Sequence, residues 1–108
     1  MTNRTVRVET SDRLLRRALV AQLRQEPAFV LLESSDTRNG SDIVVSTTSD
    51  CPSDRCKELA AKGTQVVVLA AIPRSEERAR YQLAGARAYI PMTADGPLLL
   101  KEIREAVS

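Results

Sequence analysis

The sequence predicts an α/β fold, a single three-layer sandwich built on a five-stranded parallel sheet. Three observations lead there. Short runs rich in β-branched residues alternate with longer segments of helical period, the pattern of a parallel sheet with right-handed crossovers. The 108 residues are enough for one domain. Hydrophobic residues make up 43% and charged residues 28% of the chain, which suits a soluble globular core and excludes disordered and fibrous classes.

Thr5-Val6-Arg7-Val8-Glu9 alternates apolar and polar side chains, as a half-buried strand does. Ser11 or Asp12 then offers an N-cap, and Leu15, Ala18, Leu19 and Leu23 mark one face of a helix that stops before Pro27. Phe29-Val30-Leu31-Leu32 reads as a second strand and Ile43-Val44-Val45 as a third, apolar throughout and therefore central. Between them Asp36 to Ser41 consists of turn formers around Asn39-Gly40. This stretch is at the lower limit for any parallel crossover, so the helix expected there is shortened or absent.

Ser53 is the expected N-cap of the next helix, which carries Cys56, Leu59 and Ala60 on one face and stops at Gly63. Val66-Val67-Val68-Leu69 has the continuous apolar character of a strand covered on both faces. Ser75 is expected to cap a helix running through Ala79 and Leu83 to Gly85. Ala88-Tyr89-Ile90 is a short fifth strand ending at Pro91. Asp95-Gly96-Pro97 opens the last helix, with Leu99, Leu100, Ile103 and Val107 turned inward.

Composition narrows the chemistry. There is no histidine, which removes Ser-His-Asp and Cys-His catalysis and every histidine-containing metal site. Two cysteines cannot make a four-ligand zinc site. A net charge of +2, with arginines spread along the chain and 3% aromatics, gives no basic stripe or stacking platform for nucleic acid. No apolar run approaches the roughly 20 residues a membrane helix needs, and no signal peptide is visible, so a cytoplasmic setting with reduced thiols is expected.

Ligands of open parallel sheets bind beyond the carboxyl ends of the strands. Here those ends carry Thr10-Ser11, Ser34-Ser35, Ser46 to Asp50, Ala70-Ala71 and Pro91-Met92-Thr93: hydroxyls, methyls and one carboxylate. No glycine-rich phosphate loop occurs.

The order of elements, the segment Ala84-Gly85-Ala86-Arg87-Ala88-Tyr89-Ile90 and the final Leu98 to Ile103 resemble a response-regulator receiver domain over nearly the whole chain. Val6-Arg7-Val8 and Leu23-Arg24-Gln25-Glu26-Pro27 are similar to the NarL/FixJ subfamily. The resemblance implies a CheY-like (flavodoxin-like) sheet with strand order 2-1-3-4-5. It also implies a degenerate phosphorylation pocket. Thr10 and Ser11 stand where the family has its acidic magnesium ligands, and Thr47 stands at the phosphoacceptor aspartate. Ala70 replaces the hydroxyl residue that ends the fourth strand, Met92 replaces the lysine after the fifth, and the switch aromatic is kept as Tyr89. The implied molecule is a pseudo-receiver without metal, cofactor or enzymatic activity, its pocket electrically empty.

The implied function is a protein-interaction or dimerisation module in bacterial signalling or transcription regulation. Its candidate interfaces are Arg74, Arg78, Tyr89 and Met92 around the Ser75 helix and fifth strand, and Arg13 and Arg17 on the first helix. Tyr89 and Met92 are expected to share an apolar spot beside that helix. DNA contact would come only through an output domain outside this chain, and no membrane contact is implied. Two alternatives stay open. The uncharged hydroxyl-rich mouth at Thr10, Ser11, Thr47, Thr48 and Met92 could hold a small neutral ligand. Cys51, at a helix N-terminus, could be a redox or phosphotransfer thiol. Asp50 is expected to be a turn or capping residue, with a displaced phosphoacceptor as the sharper reading.

Overall fold

The computed structural model describes residues 3–32 and 41–107. Its elements run β1 (Arg4–Glu9), α1 (Arg13–Leu23), β2 (Phe29–Leu31), β3 (Ile43–Thr47), α2 (Ser53–Ala61), β4 (Gln65–Ala70), α3 (Ser75–Leu83), β5 (Ala88–Pro91) and α4 (Gly96–Val107). The strands form one five-stranded sheet in the order β2-β1-β3-β4-β5, every neighbouring pair parallel. This is the predicted architecture and strand order. No helix separates β2 from β3 among the described residues; Ser34, Ser35 and most of the predicted turn around Asn39-Gly40 lie outside them.

Two apolar layers hold the sheet. On one side Val6, Val8, Ile43, Val45, Val67 and Leu69 pack with Leu19 and Leu23 of α1 and Leu99, Leu100, Ile103 and Val107 of α4. On the other, Val44, Val66, Val68 and Ala70 pack with Cys56 and Leu59 of α2 and Tyr81 of α3. Alternation along β4 splits its side chains between the two layers, which is why its sequence is apolar at every position. β1 is buried only at Val6 and Val8, since α2 and α3 cover β4 and β5 on the second face rather than β1.

The predicted helix boundaries hold at the ends that have a physical stop. Asp12 caps α1, its carboxylate accepting from the Leu15 N–H at 3.1 Å, and Asp95 receives the Leu98 N–H at 3.0 Å at the head of α4. Gly63 ends α2 with φ +86°, a conformation that costs glycine nothing. Gly85 has φ +98°, and a Cβ there would lie 2.8 Å from Ala60 Cβ, so the turn after α3 seats directly on α2.

Other expectations need correction. Ser53 and Ser75 are the first residues of their helices, not caps; Pro52 and Arg74 precede them, neither making a side-chain capping bond. Asp54, Glu76 and Glu77 in those first turns face the positive end of the helix dipole instead. Ala18 is exposed on α1. On α3, Ala79 faces solvent and Leu83 is 91% exposed, while Tyr81 alone is buried. A helix seated through one large ring needs no aliphatic stripe, so its period misreported the inward face. No helix of the described residues is long and apolar enough to cross a membrane.

Candidate functional site

The carboxyl ends of β1 and β3 bring Thr10, Ser11 and Thr47 together around Asp50. Asp50 follows β3 in a turn closed by its N–H on the Thr47 carbonyl at 3.2 Å. The turn aims the carboxylate back over the sheet. Its Oδ2 accepts from the hydroxyls of Thr10 and Thr47, both at 2.7 Å. Its Oδ1 accepts from the Ser11 backbone N–H at 3.0 Å and the Ser11 hydroxyl at 2.8 Å. These donors, Thr47 foremost, stabilise the charged form and hold the carboxyl down at about 2 against a smaller opposing effect of burial.

The expectation of an electrically empty pocket is therefore corrected. Asp50 is indeed a turn residue, but its charge sits among the hydroxyls of the expected uncharged mouth. The local pattern Thr-Thr-Ser-Asp carries a signal for the turn, because threonine and aspartate side chains readily bond to nearby backbone N–H groups, as Thr47 Oγ1 does to the Asp50 N–H at 3.1 Å. Nothing in that pattern tells that Thr10 and Ser11, forty positions away, would supply the remaining donors.

A cavity of about 360 Å³ opens beside this cluster, lined by the polar Thr10, Ser11, Asp12, Thr47, Thr48, Ser49 and Asp50 and the apolar Leu15, Leu69, Ala71 and Met92. Four of the predicted pocket residues, Thr10, Ser11, Thr47 and Met92, are thus gathered. Ala70 is not: it is fully buried in the layer beneath α2 and α3, and Ala71 takes the place at the cavity wall. Strand alternation is the reason, since a shift of one residue moves a side chain to the opposite face.

The donor set limits the chemistry. Among the described residues no group of three or more cysteine, aspartate or glutamate side chains is close enough to hold a metal ion. Thr47 ends β3 with a hydroxyl, which cannot form the acyl phosphate that a carboxylate forms. Asp50, the only group bonded to that hydroxyl's proton, is held too acidic to act as an effective general base.

Tyr89 lies on the α2/α3 side and is 5% exposed. Its hydroxyl donates to Glu77 and accepts from the Arg74 N–H at 3.2 Å, while the Arg78 guanidinium covers its ring at 5.1 Å. Burial, with the Glu77 contact, pushes the phenol up. Met92 packs with the opposite layer, so the predicted shared apolar spot does not exist: the sheet separates the two side chains. As an interface residue Tyr89 offers little surface; Arg13, Arg17, Arg74 and Arg78 are exposed.

Cys51 and Cys56 are both free and fully buried. Burial, reinforced by Cys56 and Glu9, pushes the Cys51 thiol up to about 11. That is the reverse of the lowered value a reactive thiol at a helix N-terminus would have. The Tyr81 hydroxyl donates to the Cys51 carbonyl at 2.7 Å, fixing this turn to α3. Full burial and a raised thiol speak for Cys51 as a packing residue and against the redox or phosphotransfer alternative.

No family model matches the chain, and no curated protein matches it by sequence. Solved structures do match. A response regulator from Thermotoga maritima superposes with a TM-score of 0.82 at 19% identity, over 99% of this chain and 98% of the other. The signal receiver domain of a putative response regulator NarL from Mycobacterium tuberculosis gives 0.81 at 11% identity, over 99% and 98%. An orphan response regulator of H. pylori gives 0.77 at 19% identity, over 97% of each chain. The chain has the CheY-like fold of response-regulator receiver domains, resembling them over nearly its full length.

Proposed function

We propose that this chain is a receiver-like signalling domain that works without phosphorylation, as a protein-interaction and dimerisation module in bacterial signal transduction or transcription regulation. The observation that carries the reading is Thr47 at the end of β3, its hydroxyl bonded to an Asp50 carboxylate that four donors already engage. A residue so committed is a strut rather than a phosphoacceptor. Asp12, the other carboxylate of the cavity, is likewise used as a helix cap. The superposition on response regulators supports the signalling context.

The module acts by docking, not by chemistry, and requires no metal or cofactor. Its surfaces are α3 with β5 and α4, where Arg74, Arg78 and Leu83 face outward, and α1, where Arg13 and Arg17 do. A partner or second copy binding α3 would compete for Glu77 and Arg78 and so loosen Tyr89, linking the surface to the buried layer. Contact with DNA would need an output domain outside this chain, and the proposed setting is the cytoplasm.

The test is incubation with magnesium and either acetyl phosphate or beryllofluoride. The expected result is no covalent phosphate by intact mass and no saturable spectral change; stoichiometric binding of either reagent overturns the proposal. A second reading rests on the 360 Å³ cavity, which Leu15, Leu69 and Met92 line together with hydroxyl side chains: a small, weakly polar ligand sensed there. Thermal shift against a metabolite set separates the two, since only ligand binding raises the melting temperature.

A further inference from the structure

A second cavity, of about 340 Å³, lies over the carboxyl end of β1 and is lined by Arg7, Glu9, Thr10, Arg16, Asp50 and Arg55, with Val8. Among the described residues that line it, three guanidiniums outnumber two carboxylates. Both carboxylates are already engaged: Glu9 pairs with Arg55 at 3.0 Å, and Asp50 with the hydroxyls described above. Arg16 enters from α1 and donates to the Thr10 carbonyl at 2.6 Å.

Arg7 differs. It pairs in register with Val44 of the α2/α3 layer and projects from that face of β1, where Arg55 of α2 lines the same cavity. Its Nε and Nη2 are buried, and neither has a hydrogen-bond partner among the described residues. These two nitrogens form one edge of the guanidinium plane, the fork whose parallel N–H groups match the two oxygens of a carboxylate or phosphate. Buried charged donors left without acceptors are costly, so they commonly mark a place where something else supplies the acceptor.

We propose that this cavity binds a small anionic ligand, through a carboxylate or phosphate-monoester group seated on the Nε/Nη2 edge of Arg7. Arg16 and Arg55 supply the surrounding positive field. Asp50, on the wall shared with the first cavity, disfavours an anion on its own side and so directs the group toward Arg7. A pocket of this volume sits at the small end of the range for metabolite sites, about 300–1,000 Å³. The site is independent of whether the domain is phosphorylated.

The experiment titrates the ¹⁵N-labelled chain with inorganic phosphate and, separately, succinate, following the Arg7 Nε–Hε cross-peak. A saturable shift with one of them is expected, and which one saturates distinguishes the phosphate source from the carboxylate source. Arg7→Gln and Arg7→Lys each weaken that binding at least about tenfold, the worth of a bidentate charge-assisted contact. Lys101→Gln, which removes one exposed charge outside the cavity, leaves it unchanged. Lysine keeps the charge but not the fork, so an Arg7→Lys chain that binds as the native one does refutes the site. So does a linear, unsaturated response to both anions in the unmutated chain, a result that does not depend on any variant folding.

Discussion

Replacing Asp50 with alanine removes the acceptor on which the ends of β1 and β3 converge. The native carboxyl is lowered from 3.8 to about 2. At about 1.36 kcal/mol per unit, that preference for the charged form corresponds to at most about 2.5 kcal/mol. Partial contact with solvent screens it to about 1–1.5 kcal/mol. The hydroxyls of Thr10, Ser11 and Thr47 then need water as their new acceptor, so the total loss at neutral pH is about 1.5–2.5 kcal/mol. The sign with pH follows from a folded value below the unfolded one: the contribution is complete above about pH 4 and fades as pH falls through about 2. Urea unfolding of native and Asp50→Ala chains at about pH 7, 4 and 2.5 measures it as a difference, which cancels the other carboxylates. A stability gap that stays below about 0.5 kcal/mol at pH 7, or one that does not narrow toward acid, refutes the assignment of Asp50 as a charged strut.

Two further outcomes test the packing. Gly85→Ala combines a positive φ with a 2.8 Å approach to Ala60 Cβ, and should cost about 1–3 kcal/mol in urea unfolding; a neutral effect would mean that the α2–α3 seat is looser than described. Cys51 and Cys56, buried and with raised thiols, should resist iodoacetamide in the native chain and react only after unfolding. Rapid native alkylation of Cys51 at neutral pH would restore it as a reactive centre.

The five strands and their parallel sense were legible in the sequence because each rests on local chemistry. β-branched runs set strands, apolar continuity in β4 reports burial on both faces, and Asp12, Gly63 and Asp95 mark helix ends through bonds or angles made within a few residues. Polar Thr5, Arg7 and Glu9 alternating with Val6 and Val8 already described a strand with one face lacking a full apolar cover. The hydroxyl-rich rim of Thr10, Ser11 and Thr47, with Met92, was likewise readable at the carboxyl ends of the strands.

Tertiary structure alone decided what those residues do. Asp50 belongs to a turn by sequence, but its carboxylate takes its partners from Thr10 and Ser11, which only sheet formation brings near. Whether Ala70 or Ala71 meets the cavity depends on strand alternation at a position where both candidates are the same amino acid. Tyr89 and Met92, three apart, fall on opposite sides of the sheet. Arg7 looks like any strand arginine until folding buries its Nε and Nη2 with no hydrogen-bond partner among the described residues. Local bonds can be read along a chain, whereas charge, burial and unmet hydrogen bonding depend on neighbours that are distant in sequence and close only after folding.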